Sequence, residues 1–256
     1  MINSLKIGVL LSILLSLSFP SYAAPNPNKT HIFILAGQSN MMGRGATTKL
    51  PANLRQQPEN VEFYTHGRQS GLAKYQYFGP EVQFAHAMAK IFPKEKILII
   101  KSAASGSSIQ EWLPSQALYQ GLLRQVKFVA APTGSKVEAI VWMQGETDAR
   151  TEATANSYAE NLKHFIQTLR QDLNAHHVPF LIGQINQKNS GFPMEKQVRA
   201  AQAQVAKELP NTLLVSNDGL TTIYDKVHYD AKGLIELGRR FAISFINYRK
   251  QQLQTN

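Results

Sequence analysis

Five short apolar runs, at 32–35, 96–100, 137–143, 179–185 and 212–215, alternate with longer stretches whose apolar residues recur at helical spacing. Runs this short and this rich in β-branched residues read as strands buried on both faces. With a helix between each pair they cannot be joined as hairpins, so they lie parallel, each crossover laying its helix over one face. The first crossover helix enters through Pro80 and Glu81 and is marked by Phe84, Ala85, Met88, Ile91 and Phe92. Further helices are predicted over 116–130, through Tyr158, Leu162, Phe165, Ile166, Leu169 and Leu173, over 194–209, and through Leu234, Leu237, Phe241, Phe245 and Tyr248. The run 61–64 adds a short strand. The predicted class is α/β, a three-layer α/β/α sandwich around a mainly parallel central sheet. No repeat, linker or change of composition divides residues 24–256, which are expected to form a single domain.

Residues 1–23 stand apart from that domain. Lys6 charges a short leading segment, 7–19 are apolar, and Ser21-Tyr22-Ala23 supplies a small-x-small cleavage site, the order of parts in a secretory signal peptide. Pro25 disfavours cutting after Ala24, so cleavage is expected after Ala23. The apolar run is shorter than the ~20 residues of a membrane span. No span is expected after cleavage, and the mature protein is expected in the periplasm or the medium. The chain has no cysteine, which excludes a thiol nucleophile, cysteine-ligated zinc and disulfides.

The net charge of +10 comes from 27 Lys and Arg against 17 Asp and Glu. These cations are dispersed, without a long basic run or interleaved aromatics, so they read as a solvated surface and no nucleic-acid partner is expected. The histidines are scattered: His31, His66, His86, His164 and the pair His176-His177, without the spaced acidic partners of a metal site. Gly43-Arg44-Gly45 lacks the Gly-Lys-Ser/Thr of a phosphate loop. Neither a metal nor a cofactor is implied, and nothing in the sequence sets an oligomeric state.

In an open parallel sheet the chemistry collects in the loops that follow the strands, and four of these loops are unusual. The first is Gly37-Gln38-Ser39-Asn40; the second, Ala103-Ala104-Ser105-Gly106-Ser107-Ser108, ends near Trp112. The third is Gln144-Gly145-Glu146-Thr147-Asp148, and the fourth, Asp225-Lys226-Val227-His228, precedes the last helix. Ser39 reads either as a nucleophile or as the N-cap of the next helix, and the stretch alone leaves both open. Together the loops offer a hydroxyl, an imidazole, carboxylates and amide donors, the set that ester hydrolysis needs.

These blocks, in this order, resemble the SGNH hydrolases, and within them the carbohydrate-esterase branch of family-six acetylxylan esterases and sialate O-acetylesterase-like proteins. The likeness covers nearly all of the mature chain: Gly37 to Met41, Gly79-Pro80-Glu81, Gly106 to Ile109 with Trp112, Trp142 to Asp148, and Asp225-x-x-His228 with Gly233, Leu237 and Gly238. It implies the SGNH (flavodoxin-like) hydrolase fold and an exported serine esterase acting on O-acetylated carbohydrate. The alternatives are an SGNH lipase or lysophospholipase acting on longer acyl chains, and a non-catalytic carbohydrate-binding protein on the same fold. By this resemblance Ser39 is the nucleophile, His228 the base, and Asp225 the group orienting the histidine, with Glu146 as competitor. The backbone N–H groups of Ser39 and Gly106 and the side-chain amide of Gln144 are expected to form the oxyanion hole. Gln38, Asn40, Arg44 and Trp112 are the expected substrate contacts: Trp112 as a stacking face, Arg44 as a loop anchor near the pocket. Tyr75, Tyr77 and Phe78 are expected pocket walls, and Trp142 a core residue.

Overall fold

The computed structural model describes residues 26, 29–186 and 191–255. Residues 1–23, expected to be a signal peptide, lie outside the described residues. In chain order the elements are β1 (Thr30–Gly37), α1 (Ser39–Met42), β2 (Gly45–Ala46), α2 (Ala52–Arg55), β3 (Val61–Thr65), β4 (Arg68–Ser70), β5 (Tyr77–Phe78) and α3 (Glu81–Ile91). They continue with β6 (Lys96–Ala103), α4 (Ala117–Ala130), β7 (Val137–Met143), α5 (Glu152–Asp172), β8 (Phe180–Gly183), α6 (Glu195–Glu208), β9 (Thr212–Val215) and α7 (Ala231–Thr255). Seven strands form one sheet in the order β4-β3-β6-β1-β7-β8-β9. All its pairings are parallel except that of β4, the short antiparallel edge beside β3.

β1 lies at the centre, and its eight residues are all buried. Alternate side chains serve opposite layers. Phe33 meets Phe84 of α3 and Phe245 of α7 edge-on, with ring centroids 5.3 and 5.1 Å apart. The other helical layer is built around Phe165 of α5, which packs against Trp142, Trp112, Tyr119 and Phe180. Burying rings of this size dominates the energetics of such a core.

The two ends of the sheet differ in chemistry. At the end where β1 begins, His31 is fully buried, stacked on Phe92 and bonded through its two ring nitrogens to Glu95 (2.5 Å) and Glu138 (2.9 Å), and Arg249 adds an ion pair to Glu138. This is a structural charge cluster far along the strand from the loops at issue. At the other end, Gly37 is pinned between β6 and β7, opposite Ala103 and Met143. Its φ is +150°, and a Cβ there would lie 2.0 Å from Met143 O. Only glycine lets the chain leave the strand at this point, and Ser39 follows two residues later.

Candidate active site

Ser39 is the first residue of α1, at the C-terminal edge of the central strand. The N–H groups of Met41 and Met42 both bond Gln38 O, whereas Ser39 N–H has no acceptor among the described residues. Ser39 O–H donates to His228 Nε2 at 2.9 Å, across 189 positions of sequence. His228 reaches that place through a narrow loop. Ile223 N–H bonds His228 O, Lys226 N–H bonds Ile223 O, and Thr222 and Tyr229 form an antiparallel bridge. Lys226 turns the chain with a φ of +58°.

Inside that loop Asp225 holds the imidazole. His228 Nδ1–H donates to Asp225 Oδ2 at 2.6 Å, and Asp225 Oδ1 accepts the N–H groups of Val227 and His228, each at 2.9 Å. With Nδ1 as donor, Nε2 carries the lone pair that faces Ser39. Burial disfavours the charged form of Asp225, but the His228 imidazole, the two backbone N–H groups and the histidine's charge outweigh it and hold the carboxyl below its ordinary value.

Glu146 is nowhere bonded to His228. It is buried, and its two oxygens accept the side-chain amides of Gln38 and Asn40, the residues on either side of Ser39. Asn40 in turn donates to Val227 O (3.2 Å) and accepts from Tyr229 N–H (3.1 Å), the neighbours of His228. One carboxylate therefore ties the flanks of the serine to the flanks of the histidine. Burial pushes this carboxyl up, against the opposing pull of Asn40, its own backbone N–H, His228 and Gln38.

Several expected contacts are corrected by this arrangement. Gln38 and Asn40 are 2% and 1% exposed and their amides are taken up by Glu146, so they brace the chain on either side of Ser39 and are turned away from solvent. Trp112 is fully buried; its Nε1–H donates to Ser107 Oγ at 2.9 Å and its ring packs on Trp142, leaving no face for a sugar. Gln144, also fully buried, spends its amide hydrogens on Ser107 O and Asp148 Oδ2, and so is not aimed at an oxyanion. The expectation failed because a glutamine one residue past a strand points where the strand's twist and its neighbours direct it, which spacing alone does not reveal. Phe78 is core, 1% exposed, packed beside Gly45, while Tyr75 and Tyr77 are exposed. Arg44 is exposed and its side chain makes no hydrogen bond or ion pair that would anchor the loop among the described residues.

Gly106 stands as expected in the loop after β6. Its φ is +74°, open space surrounds its Cα, and its N–H has no acceptor among the described residues. The loop is tied down by Ala104 N–H to Gly37 O (3.0 Å) and by Thr147 Oγ1–H to Gly106 O (3.0 Å). The backbone N–H groups of Ser39 and Gly106, one on each loop, are thus both unspent among the described residues. Among the described residues no group of three or more His, Asp or Glu is disposed to hold a metal, and no helix is long and apolar enough to cross a membrane.

Asp148 closes the network by accepting Ile109 N–H as well as the Gln144 amide. Burial pushes its carboxyl up from 3.8 to about 6, against those hydrogen bonds, with the nearby Glu146 adding to the rise. An acid whose folded value is raised stabilises the fold below its unfolded value, and that contribution is lost as pH rises through the folded one. A rise of this size is worth on the order of 2–3 kcal/mol. Asp148→Asn is therefore expected to remove that pH-dependent part: the stability gap between wild type and variant should change by ~2 kcal/mol between about pH 4 and about pH 7. Denaturant unfolding at both pH values reads it, and parallel curves would show that Asp148 ionises without cost.

A model of a family described as carbohydrate esterase, sialic acid-specific acetylesterase, matches residues 29–247. A probable carbohydrate esterase of Arabidopsis thaliana is 27% identical over 259 residues, covering 89% of this chain and 94% of that protein. The X-ray structure of an Arabidopsis protein superposes with a TM-score of 0.75 at 26% identity, over 85% of this chain and 98% of that one. NanS (TM-score 0.70, 16% identity, 88% and 99% covered) and the acetylxylan esterase Axe2 of Geobacillus stearothermophilus (0.56, 14%, 84% and 93%) share the fold.

Proposed function

The chain belongs to the carbohydrate esterase family of sialic acid-specific acetylesterases, and we propose that it removes O-acetyl groups from sugars through an acyl-enzyme on Ser39. The observation that carries this reading is the relay of two hydrogen bonds, 2.9 Å from Ser39 to His228 and 2.6 Å from His228 to Asp225. Ser39 Oγ attacks the acetyl carbonyl carbon while His228 Nε2 takes its proton, and Asp225 stabilises the resulting imidazolium. The oxyanion is met by the N–H groups of Ser39 and Gly106. Collapse of the tetrahedral intermediate breaks the bond to the sugar oxygen, which leaves with the proton from His228. Water, deprotonated by His228, then attacks the acetyl-serine, and acetate departs as Ser39 regains its proton.

Gln144 has no part in this scheme, since its amide is spent on the loop beneath. Glu146 holds the nucleophile and the base in register without touching either. Export through residues 1–23 belongs to the same proposal and rests on the charge, apolar run and cleavage site read there.

The test is acetate release from a panel of acetylated glycans, set beside hydrolysis of octanoyl esters of the same sugars. We expect acetyl esters to be preferred by about tenfold or more, the discrimination that a confined acyl site gives. Preference for the octanoyl chain would replace this reading with the lipase-like one.

A further inference from the structure

Beside the nucleophile helix lies a cavity of about 240 Å³ that the triad leaves unused. Its walls come from the end of α1 at Met42 and Gly43, from Arg44, from the loop around 71–77, from β3, and from Ala103 at the end of β6. Met42 is three residues along α1 from Ser39, ~4.5 Å of helical rise. Ala103, which also lines the cavity, pairs with Gly37, two residues before the serine. The cavity therefore adjoins the reacting centre and opens off the far end of its helix.

Its lining combines apolar surface, from Met42, Phe63 and Ala103, with buried and exposed charge. At the base, Lys101 Nζ lies 2.8 Å from Glu81 Oε1 and donates to Met42 O at 3.1 Å, a buried ion pair clamped to the end of α1. At the mouth, Arg44 and Lys74 are exposed, and their side chains make no hydrogen bond or ion pair among the described residues. Lys74 instead lies over the ring of Tyr75, 5.9 Å from its centroid. Tyr75 and Tyr77 are 61% and 47% exposed, although Leu72 and Phe78 of the same loop are buried.

The segment that presents these tyrosines is fixed. Ala46 pairs with Tyr77 and Gly45 with Phe78, and both the N–H and the Oγ1–H of Thr47 donate to Gln76 O, at 3.0 and 3.2 Å. Ala73 enters the segment with a φ of +56°, a conformation that a residue with a Cβ adopts only when its surroundings impose it. Aromatic faces held out on a rigid ribbon, with cationic donors beside them, suit a sugar ring. The C–H face of the ring stacks on the tyrosine, and its oxygens accept from the cations.

We propose that this cavity is a second sugar subsite, which binds the ring linked to the acetylated one. The preferred substrate is then an acetylated oligosaccharide rather than an acetylated monosaccharide. The acetylated ring has to place its ester oxygen by His228 Nε2, whereas the cavity opens beyond Met42; a glycan chain passing both positions fills each with a different ring. The inference rests on the esterase reading for the identity of the neighbouring site.

Binding separates the subsite from the chemistry. Ser39→Ala protein is titrated by calorimetry with a panel of acetylated tetrasaccharides and the matching acetylated monosaccharides. At least one tetrasaccharide is expected to bind about tenfold or more tightly than its monosaccharide, and adding Tyr75→Ala to Ser39→Ala is expected to erase that margin. In the active enzyme, Tyr75→Ala is expected to lower the ratio of kcat/KM for that tetrasaccharide to kcat/KM for 4-nitrophenyl acetate by about tenfold. The proposal is overturned if no tetrasaccharide outbinds its monosaccharide, or if Tyr75→Ala depresses both activities alike. If the wild type hydrolyses no acetate ester, the esterase reading falls, and the calorimetric comparison still decides the subsite.

Discussion

Ser39→Ala is expected to fold as the wild type does and to release acetate at least ~10⁴-fold more slowly, since a triad without its nucleophile retains only what binding and the oxyanion donors supply. The fold should tolerate the change because the hydroxyl's hydrogen-bond partner is His228 Nε2, on a side chain still 23% exposed, where water can take its place. Removing one oxygen opens no large void, and the bonds that shape α1 come from the backbone of Gln38 and Ser39. The loss should therefore appear in kcat with little change in Tm. The measurement is kcat/KM on 4-nitrophenyl acetate beside a thermal melt of each protein. Activity within about tenfold of wild type, in protein free of contaminating esterase, would place the nucleophile elsewhere and leave only the fold to the family likeness.

What was legible in the sequence divides along a physical line. The parallel strands at 32–35, 96–100, 137–143 and 212–215 could be read because a strand packed between helical layers is mostly apolar, with Lys96, Glu138 and Thr212 confined to the first residues of their runs. The fourth run proved shorter than its signal, 180–183 against 179–185: Gln184 N–H still bonds Val215 O of β9, but Ile185 N–H leaves the ladder for the Gln202 side chain. The edge strand β4 and the two-residue β2 and β5 carry no such pattern. Arg68-Gln69-Ser70 sits at the sheet edge, half in water, and gives periodicity nothing to detect. Ser39 and His228 were legible through their blocks, since each lies in a loop whose residues have few other uses. The bracing of Ser39 was not, because it depends on which way polar side chains turn inside a packed frame. Gln38, Asn40, Gln144 and Trp112 sit beside the chemistry in sequence yet face away from it. Their near-complete burial is the signal a sequence lacks.

The two carboxylates near the histidine should respond very differently to amide substitution. In Asp225→Asn one side-chain oxygen must still serve the N–H groups of Val227 and His228, so the new amide nitrogen turns toward His228 Nδ1. Two donors cannot face each other, so the imidazole adopts the tautomer with its proton on Nε2 and loses the lone pair that accepts from Ser39. The expected loss in kcat is ~10³–10⁴, the scale of a triad held in the wrong tautomer. In Glu146→Gln one oxygen remains to accept an amide, and the clash falls on Gln38 or Asn40 instead. Asn40 cannot flip without breaking its bonds to Val227 O and Tyr229 N–H, so the register of serine and histidine slackens without a change of tautomer. A misplacement of that kind costs ~10–10² in kcat. Glu146→Ala removes both acceptors from buried amides and should fall further, with a stability loss of ~2–4 kcal/mol that the glutamine variant largely avoids. Rescue by glutamine at 146 but not by asparagine at 225 is the signature of one residue that positions and another that sets the proton. Equal losses in Asp225→Asn and Glu146→Gln would instead make Glu146 the histidine's partner during turnover, and would require the Asp225 contact to break when substrate binds.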